Sequence, residues 1–301
     1  MSDAFARLIP PDVRARLKTL QLSTRRDAGA HGYGMHRSVN RGAGLEFSQY
    51  RAYEPGDELR QVDWKLYARC DRYYVREAER DSPLTVWLLI DASASMAQGD
   101  AARAGWSRLD AARAIAACAV ELALRQGDRF GIASAGGGSV RLLAANVGAR
   151  HRDRCLLELA ALQPRGAWPD AAGLRPLWQH IGARALVLLL SDCFDDGVVS
   201  LAERFAAARR EMVTVQLLTA EERDFPFRGG HRFRDPETDD DVLGDGAAVR
   251  EGFLARFADA RAALATRFAA AGIRHATYVL DQPLDAPLQR LFGAHFGTAR
   301  R

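Results

Sequence analysis

The chain has 301 residues, 48% hydrophobic and 27% charged, with a formal net charge of +4, an ordinary soluble composition long enough for one large domain with an appendage or for two. Its longest apolar runs, Thr85 to Ile90 and Ala185 to Leu190, are far too short to span a bilayer, and residues 1–20 lack a signal peptide's apolar core and cleavage site, so a cytoplasmic protein is expected. Cys70, Cys118, Cys155 and Cys193 are widely spread and form no C-x-x-C pair, so neither a disulfide framework nor a zinc site is suggested and reduced thiols are expected.

The charge excess lies in residues 1–80, which hold 15 Lys+Arg against 11 Asp+Glu. The signs are interleaved, and a mixed field steers polyanions weakly, so nucleic acid is not the expected partner. Behind Pro10, Pro11 and Asp12, the spacing of Val13, Leu17 and Leu20 predicts a short amphipathic helix over residues 12–22. Glycines then punctuate a long loop over residues 23–44.

The next segment, to residue 82, carries Tyr50, Tyr53, Trp64, Tyr67, Tyr73 and Tyr74, an aromatic weight that predicts packing. Arg51, Asp57, Arg60, Asp63 and Arg69 alternate in sign beside Trp64, suited to bidentate ion pairs and aromatic stacking. Such pairs either lock the segment onto its neighbour or present a partner-binding surface. Residues 1–82 are expected to dock on a domain formed by residues 83–301.

That domain opens with Val86 to Ile90, apolar without alternation, as in a strand buried on both faces of a parallel sheet. Asp91, Ser93 and Ser95 follow as D-x-S-x-S at its carboxyl end, where open α/β sheets bind ligands. One carboxylate and two hydroxyls suit a hard dication, magnesium or manganese, although Asp and Ser are also ordinary turn and cap residues. A helix is predicted over 108–126 with Gly127 as its stop, then two short strands joined at Gly136 to Gly138, and a helix over 151–162. Ala185 to Leu190 reads as a second buried strand ending in Ser191 and Asp192. A third strand spans 212–218, and residues 220–245 read as irregular, with Asp239 to Asp241 at a solvated hairpin tip. A long helix over 249–270, a strand over 274–280 and a helix over 287–296 complete the chain.

The run G-x-H-R-S, G-x-E-F, R-x-Y-x-P-G-D-x-x-R-x-V-D-W-x-x-x-A-R between Gly34 and Arg69, with D-P-E-T at Asp235 to Thr238, resembles the domain of unknown function 58 family. D-x-S-x-S resembles the metal-ion-dependent adhesion site of von Willebrand factor A domains, of which that family is a branch. The resemblance implies a Rossmann-like α/β fold with a mostly parallel central sheet flanked by helices. It also implies Asp192 as an acidic residue of the metal site, and a non-enzymatic adaptor acting with a MoxR-type AAA+ ATPase in chaperone-like remodelling. Such domains carry a third metal loop with threonine, but no Ser or Thr occurs from Gln163 to Arg184. Asp170 is the nearby side-chain oxygen donor, either a third carboxylate ligand or a helix N-cap. No H-E-x-x-H, P-loop or nucleophile–base pair is present. The competing class is a metal-dependent hydrolase using Asp91 and Asp192, with Asp195 as its acid or base.

Overall fold

The computed structural model of the chain describes residues 8–24, 47–53, 62–78, 83–234 and 241–293. The chain divides into two compact units, residues 1–30 with 84–301, and residues 31–83. The first residues therefore group with the larger unit and not with the segment that follows them. The physical reason is their apolar stripe: helix α1 (Pro11–Arg16) and its 3-10 extension Leu17–Thr19 bring Val13, Leu17, Leu20 and Leu22 into the main core, together with Ile9. Arg16 locks this end down, donating through Nη2 to Asp285 at 2.8 Å.

The smaller unit pairs β1 (Phe47–Ala52) antiparallel with β2 (Tyr74–Ala78), with α2 (Trp64–Cys70) between them in sequence. Among its described side chains the rings of Trp64, Tyr67 and Tyr73 pack on one another, as the composition predicts. Tyr67 stacks on Tyr73 at 4.5 Å, and Trp64 meets both rings edge-on.

In the larger unit, β3 (Thr85–Asp91) is followed by a ribbon of β4 (Gly99–Asp100) and β5 (Arg103–Ser107), helix α3 (Arg108–Gln126), β6 (Arg129–Gly136) and β7 (Ser139–Asn146). Helices α4 (Ala149–Ala161) and α5 (Arg175–His180) lead to β8 (Leu186–Ser191), α6 (Asp196–Ala207), β9 (Glu211–Leu218) and α7 (Ala220–Asp224). A ribbon of β10 (Gly230–Arg234) and β11 (Asp241–Asp245) precedes α8 (Gly246–Ala270), β12 (Arg274–Val279) and α9 (Ala286–Phe292). The expected irregular stretch 220–245 is thus ordered at both ends. The cause is local: Thr219 and Glu222 form a capping box that starts α7, and β10 pairs antiparallel with β11. Asp241 opens β11, while Asp239, Asp240 and the D-P-E-T element lie outside the described residues.

The central sheet has the order β12-β9-β8-β3-β6-β7, parallel throughout except for β7, which turns back from β6. This is the α/β, Rossmann-like arrangement the sequence implies. The unbroken apolar runs of β3 and β8 are explained by period-two alternation between two covered faces. Val86, Leu88, Ile90 and Leu186, Leu188, Leu190 face the core under α1, α3, α4 and α9, whereas Trp87, Leu89, Val187 and Leu189 face the layer of α5, α6 and the end of α8. Helix α3 spans the predicted residues, opened by a Ser107–Asp110 capping box and closed by Gly127 at φ 79. No described helix is long and apolar enough to cross a membrane.

Candidate functional site

From β3 the chain moves to β6 on one side of the sheet, and from β8 it moves to β9 on the other, so the direction of winding reverses between β3 and β8. Loops leaving two such strands diverge and open a crevice at their carboxyl ends. Ile90 lies opposite Leu190 in the register, which sets Asp91 beside Ser191 at the floor of that crevice. The D-x-S-x-S loop can lie flat there because Gly136 of β6 has no side chain; a Cβ at that position would collide with the Ala92 carbonyl. Ala92 N then donates to Ala135 O at 2.7 Å and fixes the loop to the sheet edge.

Asp91 is 1% exposed and fully engaged. Its Oδ1 accepts from Ser93 N at 2.9 Å and Ser93 Oγ at 2.7 Å, and its Oδ2 accepts from Ser191 Oγ at 2.6 Å. Because the Ser93 hydroxyl gives its one proton to Asp91, Ser95 Oγ, 3.1 Å away, must donate to Ser93 Oγ. These bonds favour the anion, yet burial, seconded by the charge of Asp192, dominates and pushes the Asp91 carboxyl up to about 6.

Asp192, 2% exposed, is held differently. Arg108 Nη1 donates to its Oδ2 at 2.9 Å and also to the Ser95 carbonyl at 3.1 Å, and Arg108 Nη2 pairs with Glu222 Oε1. Asp192 Oδ1 accepts from Phe194 N at 3.2 Å, and Gln216 Nε2 holds the Asp192 carbonyl at 3.2 Å. Between these two residues Cys193 sits in the left-handed region at φ 59, a sharp turn that leaves the Phe194 ring 52% exposed. The Cys193 thiol is raised well above its ordinary range by burial and then by Asp192 and Asp91, so it is an inert core thiol.

Arg108 and Glu222 were missed in the sequence, although a signal for Arg108 was present. Arg108 is the first residue of α3, where the helix dipole disfavours a cation. A buried arginine in that position needs anionic neighbours supplied from elsewhere. Above the polar floor the crevice opens as a pocket of about 710 Å³ whose wall includes Phe194, Phe225, Phe227 and Phe253. Phe225 packs on Phe253 at 4.4 Å and on Phe227 at 5.1 Å.

Asp91, Ser93, Ser95 and Asp192 are therefore brought together, and Asp170 is not. Among the described residues no three His, Cys, Asp or Glu side chains gather as a metal-holding group. Asp170 is exposed, and its Oδ1 accepts from Gly173 N at 2.8 Å, capping the turn before α5. The loop after α4 meets the D-x-S-x-S loop earlier, where Arg165 N donates to Ala92 O at 2.9 Å and Gly166 O accepts from Ala94 N at 2.7 Å. Asparagine caps such turns as well as aspartate, so Asp170→Asn should leave both magnesium affinity and unfolding free energy unchanged within about 0.5 kcal/mol. Calorimetric titration and urea unfolding check this, and a loss of affinity would return Asp170 to the ligand set.

Of the residues singled out in the smaller unit, Asp63 caps α2 by accepting from Lys65 N at 2.9 Å and Leu66 N at 3.0 Å. Trp64 is 56% exposed and Arg69 is exposed. Arg51 is described as backbone opposite Val75, while Asp57 and Arg60 lie outside the described residues.

The donors that converge are hard oxygens, which fits magnesium or manganese in kind, with Asp192 already carrying one cationic partner. In open α/β sheets the crevice at a winding reversal is where ligands bind, and here that crevice is lined by oxygens. Residues 49–263, more than half of the chain, match the model of the family described as protein of unknown function DUF58, and the chain belongs to that family. It is 29% identical over 231 residues to the uncharacterized proteins Mb1516 of Mycobacterium bovis and Rv1480 of Mycobacterium tuberculosis, covering 76% of this chain and 72% of each relative. Among solved structures, BatB from Bacteroides thetaiotaomicron is 15% identical with a TM-score of 0.41, over 68% of this chain and 93% of that one. An aerotolerance-related membrane protein from Bacteroides fragilis is 13% identical with a TM-score of 0.45, over 69% and 96%. The SpRpn10 VWA domain is 12% identical with a TM-score of 0.41, over 69% and 95%.

Proposed function

We propose that this protein is a non-enzymatic, cytoplasmic protein-binding adaptor that acts with a MoxR-type AAA+ ATPase in chaperone-like remodelling, and that its binding site is the crevice between β3 and β8. The carrying observation is a polar floor of buried Asp91, Ser93, Ser95 and Asp192 beneath a mouth left open, with Phe194 half-exposed at its edge. A buried polar floor fixes orientation, and an exposed aromatic supplies contact area to a partner. Magnesium or manganese, held by Asp91, Ser93, Ser95 and Asp192, would offer an open position to a partner's carboxylate, because magnesium bound by few protein oxygens keeps exchangeable waters. The family resemblance supports the choice of ATPase.

The hydrolase reading is less well supported. The acid or base it requires, Asp195, spends its Oδ1 on Gly197 N at 2.6 Å as the N-cap of α6. The adaptor reading is tested by measuring association of the full chain with the MoxR-type ATPase of the same organism by fluorescence anisotropy, with magnesium and with chelator. Asp91→Ala and chelation should each weaken binding by roughly tenfold or more, since each removes a charge-assisted contact. Binding indifferent to both would move the interface off the crevice, and no binding at all would remove this ATPase as the partner.

A further inference from the structure

Any divalent ion that binds Asp192 meets a cation already in place. The Arg108 side chain is 3% exposed, shares Asp192 Oδ2 and the Ser95 carbonyl through one nitrogen, and reaches Glu222 through the other. Its Nε is buried and, among the described residues, has no hydrogen-bond partner. A guanidinium is weakly hydrated and always charged, so it tolerates this burial better than a lysine would. Its other contacts lie nearer solvent: the Glu222 side chain is 21% exposed, and the Arg108 Cζ lies 5.1 Å from the ring centre of half-exposed Phe194. In this low-dielectric floor, two cations on one carboxylate oxygen repel strongly.

We propose that Arg108 is the resident cation of the crevice and that it must leave Asp192 before a divalent ion binds there, so that the two are alternative occupants. This rests on the metal reading given above. The released guanidinium keeps Glu222 and the Phe194 face, so ion binding moves a positive charge from the floor to the mouth, where a partner makes contact. A weak site in the free protein is the direct consequence, because the ion must displace an ion pair and two hydrogen bonds.

The test is calorimetric titration of magnesium at pH 8 and fixed ionic strength into the full chain and into Arg108→Met. Freed of the competing charge-assisted bonds, the variant should bind roughly ten- to a hundredfold tighter. Equal or weaker binding in the variant overturns the alternation and leaves the metal reading standing; no binding by either protein removes the metal reading and the alternation with it. A second measurement needs no variant and covers the case in which Arg108→Met does not fold. In nitrogen-15 NMR of the wild-type chain, the buried Arg108 Nε–H should be protected from exchange without magnesium and should shift and lose protection at saturation. Saturation followed at the Phe194 amide, which donates to Asp192, with the Arg108 signal unmoved, overturns the proposal. If neither signal moves at high magnesium, the metal reading falls.

Discussion

Arg108→Met is expected to destabilise the metal-free protein by about 3–5 kcal/mol, because it strands a buried carboxylate that has lost its counter-ion. Asp192 is 2% exposed and, among the described residues, is ion-paired with Arg108, and the same guanidinium fastens three separate segments by joining the Ser95 carbonyl, Asp192 and Glu222. Methionine fills a similar volume without the charge, so cavity formation contributes little and the electrostatic loss dominates. Urea unfolding at pH 8 measures the change, and Arg108→Met combined with Asp192→Asn should recover most of it, since the stranded charge is then gone. A loss under about 1 kcal/mol would mean that the carboxylates reach water by local rearrangement and that the ion pair is not a structural link.

The second large effect is a pH-dependent one at Asp91. Its carboxyl rises from 3.8 to about 6 on folding, chiefly through burial and then through Asp192. The folded state therefore holds the proton more tightly than the unfolded state. The stability associated with the protonated form is complete below about pH 4 and is lost as pH rises through about 6. At one pKa unit per 1.36 kcal/mol, the loss at pH 8 is on the order of 3 kcal/mol. Asp91→Asn removes the titration. Its amide can keep Ser93 N and Ser93 Oγ on the oxygen, while the Ser191 hydroxyl, which now donates to Oδ2, turns to accept. Relative to wild type, Asp91→Asn should gain stability steadily between about pH 4 and pH 6, by about 3 kcal/mol in all, and little further above that. Urea unfolding across this range without divalent ions tests it. A difference independent of pH would show that Asp91 is not the group that folding holds protonated. Magnesium should narrow the gap at pH 8 by favouring the wild-type anion.

These two effects follow from one feature, a crevice that buries more charge than its own pairs neutralise at neutral pH. Asp192 is relieved by Arg108, whereas Asp91 is relieved by a proton only below about pH 6 and stays a strained anion above it. A site so balanced stays folded without a partner while keeping a store of unfavourable electrostatics that a bound cation can relieve.

The sequence by itself determined the α/β class, the buried parallel strands, the helix α3 to the residue, and the position of Asp91 and Asp192 at strand ends. These are local properties: unbroken apolar runs, a 3.6-residue period, a capping box and a glycine stop are written in consecutive residues. The aromatic packing of Tyr67 and Tyr73 was legible for the same reason. Only the tertiary structure decided the membership of the first helix in the main core, because the stripe of Val13, Leu17 and Leu20 states that a face is buried and not against what. It also placed Asp170 at the turn before α5, since the loop's path past Ala92 is set by backbone bonds at Arg165 and Gly166, which no side-chain pattern records. Above all it decided the chemistry of the crevice. Asp91, Arg108, Asp192 and Glu222 sit on four different segments and meet because β3 and β8 are neighbours in the sheet and the loops after β8 and β9 fold over the same edge. Strand order is a property of the whole chain, and the charge balance at a site depends on every segment that the order brings there.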